Sequence, residues 1–241
     1  MKIKYYVPTE TARRFHESDK SVRVLVGPMA CGRTVAALMD LVVNPVPEDG
    51  IVLLVRNSDL DFRHGDGHTL EHWFGDDNLC DNLLHKGIHQ TKINGKGVVL
   101  KLLSINSVNI APKIPKYSRA IILNAETISE LVVSTVYMKR KGTPGRVNRS
   151  VVLDYSGFKN WHELKERFVT DEIFWYPSAY IINAEGDVSV NPKAENIHNL
   201  PNNYYKVLMN SFCNKETIHK FVRYYKKMKT TETTTYHMVG E

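Results

Sequence analysis

The sequence is poor in cysteine and has no long hydrophobic run. Its three cysteines, Cys31, Cys80 and Cys213, are widely separated, so none forms a metal-type pair, and the odd number argues against a disulfide framework. No apolar stretch approaches the ~20 residues that a transmembrane helix requires. The first residues also lack the apolar segment of a secretion signal. We therefore expect a protein of a reducing cytoplasm that is neither secreted nor embedded in a membrane.

A strong excess of one charge is also missing. The 32 Lys and Arg residues against 26 Asp and Glu give +6 over 241 residues, which permits a polyanionic partner without requiring one. One basic cluster surrounds a Gly-Thr-Pro-Gly turn and consists of Lys139, Arg140, Lys141, Arg146 and Arg149. A second, mixed with aromatic residues, covers 220–229. Contact with a nucleic-acid backbone and a merely solvated basic face are both open interpretations.

One glycine-rich segment carries a specific chemistry. Residues 27–34 match the phosphate-binding pattern G-x-x-x-x-G-K-[ST] at every position but one; they are Gly27, Pro28, Met29, Ala30, Cys31, Gly32, Arg33 and Thr34. Backbone N–H groups of such a loop surround phosphate oxygens, and the following helix N-terminus adds positive potential. Thr34 would supply a hydroxyl ligand for Mg²⁺, so ATP with Mg²⁺ is the candidate cofactor.

Apolar runs alternate with helical patterns around this segment. Strands are predicted over 22–26, 51–55, 88–93, 97–103, 120–123, 151–154 and 180–183, and helices over 35–43 and 129–141. The Asn94-Gly95 dipeptide predicts a hairpin between two of these strands. The pattern indicates an α/β fold of the P-loop NTPase type, with a mostly parallel central sheet and helices on both faces.

The chain is predicted to form one domain over 1–229, followed by a flexible tail at 230–241. Within that domain, residues 1–21 form an N-terminal lead, 22–183 the core and 184–229 a helical appendage. The tail is low in apolar residues, which is typical of frayed ends.

Further segments in chain order are unusual together. They are the run 15–23 before the glycine loop, the pair Trp73-Phe74, the F-W-Y-P-S-A segment at 174–179, and the N-P-K-A-E-N, N-L-P and Y-Y groups between 191 and 205. Together they resemble the ATPase domain of the large terminase subunit of tailed phages, the motor that packages DNA into capsids. The resemblance implies a role in viral DNA packaging. It implies double-stranded DNA, a portal or other motor subunits as partners, and the cytoplasm of an infected bacterium as the location.

Two chemically critical positions depart from that family. The lysine of the phosphate loop is Arg33 here, and Arg is larger and planar, so the exchange is not conservative at a tight site. The family's acidic motif should end its strand with an acidic or amide residue and then Glu, whereas Leu123 and Asn124 occupy these positions. An amide cannot act as a general base at neutral pH. Glu126 comes two residues later and is the alternative candidate if the register is shifted.

Two later features of the family are also altered or missing. Its coupling segment contains Thr-Asn-Pro, and here Ser156, after Asp154 and Tyr155, is the candidate coupling residue. The family continues into a nuclease domain with clustered acidic ligands, and we expect none in this sequence, because no Asp and Glu constellation replaces it.

Arg56 and a histidine-rich segment carry further hypotheses. Arg56 ends a predicted strand, and it could contact a phosphate, serve a neighbouring subunit as an arginine finger, or form an ordinary salt bridge. His64, His68 and His72 have helical spacing, but two glycines between them weaken a helix. A polar loop is therefore predicted there, and no zinc is expected.

Two functions remain open from the sequence. The first is a terminase-ATPase-like protein that binds nucleotide with weak or absent ATP hydrolysis. The second is a non-enzymatic assembly, scaffold or regulatory protein that uses the degenerate motor fold to bind DNA, a portal or a true motor subunit. The replaced lysine and the missing glutamate make a pseudo-ATPase a candidate in either case.

Overall fold

The structure is a computed structural model that describes residues 6–27, 31–105, 114–139, 150–155, 166, 172–177, 180–182 and 188–195. Contacts divide the chain into two units. The first comprises Met1–Val26 and Arg33–Trp175, and the second comprises Gly27–Gly32 and Tyr176–Glu241.

The first unit contains a sheet of seven described strands. They are β1 (Val22–Val26), β2 (Gly50–Arg56), β3 (Ile88–Ile93), β4 (Lys96–Ser104), β5 (Arg119–Ile122), β6 (Val151–Tyr155) and β7 (Ile173–Trp175). Their order across the sheet is β3-β4-β2-β5-β6-β1-β7. All neighbours pair in parallel except β3 and β4. The predicted fold class, an α/β fold of the P-loop type with a mostly parallel sheet, is confirmed.

The strand pattern follows from burial and turn chemistry. Every residue of β1, β5 and β6 is buried, as expected for parallel strands that are covered on both faces. The predicted hairpin joins β3 to β4, and its turn residues Asn94 and Gly95 both have positive φ, 52° and 78°. These are the angles that favour Asn-Gly in a tight hairpin.

One predicted strand lies elsewhere, and two short strands were not predicted. The segment predicted at 180–183 forms β8 (Tyr180–Ile182), which pairs antiparallel with β9 (Val188–Val190) in a separate sheet. The parallel sheet instead ends at β7, which pairs with β1. Three residues are too few to show a periodicity, so neither β7 nor β9 carried a strand signal of its own.

Helices occupy the connections of the first unit. They are α1 (Glu10–Glu17), α2 (Arg33–Val43), α3 (Asp59–Asp61), α4 (His68–Phe74), α5 (Leu79–Lys86) and α6 (Glu130–Met138), with a π-helix at Phe62–Gly67 and a 3-10 turn at Ala125–Thr127. The predicted polar loop over the histidines was wrong, because the segment is helical. Phe62 and Leu70 are fully buried there, and that burial outweighs the helix-weakening effect of the glycines.

The predicted domain limits, one domain over 1–229 and a tail at 230–241, stay a prediction. β9 lies inside the predicted appendage at 184–229, and most of that appendage and the whole tail at 230–241 lie outside the described residues. None of the described helices is long and apolar enough to cross a membrane.

A buried carboxylate on α2 connects this helix to three other elements. Asp40 is fully buried, and its oxygens accept hydrogen bonds from Arg23 of β1 at 2.5 and 3.0 Å and from Arg119 of β5 at 3.0 Å. His16 of α1 contacts the same carboxylate at 3.0 Å. Burial alone would raise the pKa of Asp40, but hydrogen bonds from His16 and Arg23 and the charges of both arginines hold it well below its usual range.

Replacing Asp40 with Asn would leave Arg23 and Arg119 buried without a counter-charge. We expect the free energy of unfolding at pH 7 to fall by about 3–5 kcal/mol, as measured by urea denaturation. Asp81→Asn is the matched control, because Asp81 is exposed and only 3.9 Å from an exposed Arg63, a pair of a kind that contributes little. Equal losses in the two variants would contradict a structural role for the Asp40 cluster.

Candidate functional site

The carboxyl ends of three parallel strands and the start of α2 bring polar residues together. Arg56 is the last residue of β2, Asn124 follows β5 by two residues, and Asp154 is the fourth residue of β6. Arg33 and Thr34 open α2. This edge of a parallel sheet is where ligands of α/β proteins bind, so the five side chains form the candidate site of the first unit.

Asp154 holds both predicted ligand-binding residues of α2. The Nε of Arg33 donates to Asp154 Oδ1, and the two side chains are 6% and 0% exposed. The hydroxyl of Thr34 donates to Asp154 Oδ2 at 2.8 Å. One buried carboxylate therefore engages the guanidinium at the family's lysine position and the hydroxyl expected to bind Mg²⁺.

Arg56 lies in a second buried ion pair. Its Nε is 3.1 Å from Oδ2 of Asp66 on the π-helix, and each side chain is 10% exposed. Neither atom makes a well-aligned hydrogen bond, so the pair is held by the attraction of opposite charges and not by a directional hydrogen bond. Of the interpretations left open for Arg56, the structure thus displays the salt bridge and places the residue beside the site. An arginine finger for a neighbouring subunit would need this buried side chain to leave its pair.

Asn124 lies between the two arginines. With its amide oxygen toward Arg56, that oxygen accepts from Nη1 at 2.7 Å and Nη2 at 2.9 Å. In the opposite orientation the oxygen lies 3.5 Å from Nη2 of Arg33. The two shorter contacts favour the first orientation, since an amide is assigned from its hydrogen-bond network. Its φ of 46° is left-handed, a conformation that Asn tolerates better than most residues.

The pKa of Asp66 is raised because its carboxyl group is buried beside the site. Burial raises the pKa of Asp66 to about 6, the charge of Arg56 opposes the shift, and the negative charge of Asp154 adds to it. The glycine that follows is packed tightly, because a Cβ on Gly67 would lie 2.3 Å from the sulfur of Cys80. The position of Asp66 is therefore constrained by its neighbour in the chain.

The other predicted residues of the acidic motif are also located. Leu123 is fully buried, and Glu126 is exposed on the 3-10 turn. The register over Leu123 and Asn124 therefore offers no carboxylate at the two expected positions. Glu126 stays a prediction as the alternative base.

Several predicted site residues lie outside the described chain. They are Pro28, Met29 and Ala30 of the glycine loop, the coupling residue Ser156, and the basic residues Arg140, Lys141, Arg146 and Arg149. Lys139 is described, and it is exposed directly after α6.

In the second unit, the first glycine of the loop is required by packing. A Cβ on Gly27 would lie 2.7 Å from Cβ of Tyr176 and 2.7 Å from the sulfur of Cys31. Gly32 has a φ of 95°, which favours glycine for conformational reasons. Both glycines of the motif therefore have structural reasons within their own unit.

The sequence matches no protein-family model and no curated protein. Solved structures do resemble the chain. The large terminase of a thermophilic bacteriophage aligns over 87% of this chain and 52% of its own, with a TM-score of 0.57 at 9% identity. The complex of that terminase with ATP-γ-S gives 0.54 at 8% identity over 88% and 51%. The large terminase of bacteriophage HK97 gives 0.50 at 12% identity over 97% and 49%.

The chain has the large-terminase fold. The resemblance inferred from the sequence is thus confirmed at the level of the fold. The chain spans about half the length of the solved terminases that it matches.

Within this terminase fold, sequence reasoning missed two site residues. Asp154 carried a usable signal, since a carboxylate near the carboxyl end of a buried parallel strand faces the ligand edge. Asp66 carried none, because it lies ten residues beyond the end of β2 in a segment predicted to be a loop.

Asp66→Asn should change how stability depends on pH. Because the pKa of Asp66 is raised from 3.8 to about 6 in the folded state, the folded protein binds the extra proton in that window, and the stability contributed by this group falls as pH rises. The variant lacks this loss. We expect its unfolding free energy, relative to the unsubstituted chain, to rise by about 3 kcal/mol between pH 3.5 and 7.

Urea denaturation across this pH range measures the difference. Asp59→Asn, an exposed change on the same segment, is the control. A difference that stays constant with pH for Asp66→Asn would show that the carboxyl is not buried as described.

Proposed function

We propose that this chain is a terminase-like protein of viral DNA packaging that binds nucleotide with weak or absent hydrolysis. The observation that carries the proposal is the placement of a guanidinium, a hydroxyl and a carboxylate (Arg33, Thr34 and Asp154) together at the ligand edge of a terminase fold. A second observation limits the chemistry. The two positions at the end of β5 hold Leu123 and Asn124, neither of which can accept a proton from water.

Each residue of the candidate site has a distinct role in this proposal. Backbone N–H groups of residues 27–32 would surround phosphate oxygens, and Arg33 would neutralise the outer phosphates. The hydroxyl of Thr34 and the carboxylate of Asp154 lie 2.8 Å apart and are the hard oxygen donors that suit Mg²⁺. Mg²⁺ held by these two side chains would supply positive charge that stabilises the phosphate groups. The amide of Asn124 would orient the guanidinium of Arg56 and could not abstract a proton.

The non-enzymatic alternative is favoured by one observation. Arg33 and Thr34 are already satisfied inside the protein, so the cluster stabilises the fold without any ligand. In that case the motor fold serves as a scaffold or regulatory module.

Partners and location follow from the fold only as proposals. Double-stranded DNA, a portal or true motor subunits are the proposed partners, with Lys139 as the described member of the basic cluster. The proposed location is the cytoplasm of an infected bacterial host.

Nucleotide should stabilise the folded chain if the first proposal holds. At a ligand concentration 100 times Kd the gain is about 2.7 kcal/mol, or roughly 5–10 °C in Tm for a protein of this size. Differential scanning fluorimetry with MgADP and with MgATP-γ-S at millimolar concentration measures it. An unchanged Tm with both nucleotides would favour the scaffold alternative.

Restoring the two altered positions tests whether the site is degenerate. We expect the unsubstituted chain to release phosphate from MgATP at background rate, and the Arg33→Lys, Asn124→Glu double variant to exceed it at least tenfold. A malachite-green phosphate assay measures the rates, and the Asn124→Gln variant is the control without a carboxylate. Rapid ATP hydrolysis by the unsubstituted chain would show that a different residue acts as the base, and Glu126 would be the first candidate.

A further inference from the structure

Four buried side-chain atoms of the described residues have no hydrogen-bond partner within the protein. They are Nε of Arg23, Nε of Arg56, Oδ2 of Asp66 and Oγ of Ser104. A buried donor or acceptor that stays unpaired lowers the stability of the fold, so each such atom requires an explanation. An ordered water molecule can pair such atoms, but a buried water needs two to four polar partners. The positions of the four atoms therefore decide which of them can share a water.

Three of the four atoms belong to side chains on one face of the sheet. Arg56 ends β2, and it is paired in register with Ser104, the last residue of β4. Neighbouring strands are about 4.8 Å apart, and side chains in register point to the same face. Asp66 lies on that face as well, because its Oδ2 is 3.1 Å from Nε of Arg56. The three side chains thus lie together at the carboxyl ends of β2 and β4.

The chemistry of these three atoms matches the hydrogen bonds of one water molecule. The Nε of Arg56 can only donate, the Oδ2 of ionised Asp66 can only accept, and the hydroxyl of Ser104 can do both. A water oxygen would accept from Arg56, and its two hydrogens would be donated to Asp66 and Ser104. The arginine and the aspartate are each 10% exposed, so bulk solvent has little access to these atoms.

The fourth atom lies in a different environment. Arg23 is on β1, which β5 and β6 separate from β2. Its side chain is fully buried, and its guanidinium carbon lies 4.5 Å from the centre of the Phe15 ring. None of the other three unpartnered atoms is on β1. Because a buried water needs several polar partners, Nε of Arg23 is expected to be dry, and it provides a reference within the same fold.

We propose that a buried water molecule bridges Nε of Arg56, Oδ2 of Asp66 and Oγ of Ser104. This water connects β4 to β2 and to the π-helix at Phe62–Gly67. It supplies the directional hydrogen bonds that the Arg56–Asp66 ion pair lacks. The inference does not rest on the proposed nucleotide binding, because no phosphate takes part in the bridge.

NMR detection of contacts between water and the protein tests the inference on the ¹⁵N-labelled full chain at pH 7. In a ¹⁵N-edited ROESY spectrum, the Hε proton of Arg56 should show a cross peak at the water frequency, with the sign that marks proximity and not proton exchange. The Hε proton of Arg23 should show none. The Arg56 signal is identified by its loss in the Arg56→Lys variant. An identified Arg56 Hε signal without the water cross peak would overturn the inference.

The Ser104→Ala variant separates a bound water from the exchangeable hydroxyl proton of Ser104. The variant keeps two of the three partners of the water, so the cross peak of Arg56 should remain. A cross peak that disappears in the folded variant would have come from the hydroxyl proton, and this result would also overturn the water site.

The melting temperature of Ser104→Ala provides a second measurement. If the hydroxyl bonds to the water, its removal should lower Tm by about 2–4 °C, the effect of one hydrogen bond in a protein of this size. If the hydroxyl is unpaired, its removal eliminates an unsatisfied buried group, and Tm should stay unchanged or rise. That second result would overturn the bridge to β4. Ser134→Ala, at an exposed position of α6, is the control and should not lower Tm.

Discussion

The buried carboxylate of Asp40 is the interaction on which the arrangement of the first unit depends. It is contacted by side chains from α1, β1 and β5, and it lies on the helix that follows the glycine loop. Removing a charge from water is costly, and only several well-placed partners offset that cost. The geometry that satisfies Asp40 therefore fixes the position of α2 against the sheet.

The same helix is fixed at its other end by a second arginine–aspartate pair. Arg33, at the start of α2, contacts Asp154 of β6, whereas Asp40, two turns later, contacts Arg23 and Arg119. At the start of α2 the helix supplies the arginine and the sheet supplies the aspartate. Two turns later the helix supplies the aspartate and the sheet supplies the arginines. The candidate site is thus built from the same kind of buried arginine–aspartate pair as the core.

The central strands β1, β2, β5 and β6 could be predicted from the sequence because they are continuous apolar runs, and their nearly complete burial confirms this prediction. The spacing of the motif was enough to locate its glycines and Arg33, and the register of the predicted strand was enough to locate Asn124. The ion pairs of the site could not be predicted from the sequence. Asp66 reaches Arg56 only because the chain forms a π-helix there, and no local propensity predicts that turn. Asp154 was visible in the sequence, but the identity of its partners depends on which strands are neighbours, and that is a tertiary property.

Gly27 lies against Tyr176, at a spacing that leaves no room for a side chain. That fit constrains the position whether or not a nucleotide ever binds. Packing alone would therefore require a glycine at this position in a chain without any catalysis, and the same applies to Gly32 through its backbone angle. A phosphate-loop signature in such a chain reflects the packing of the fold, and its presence is no measure of enzymatic activity.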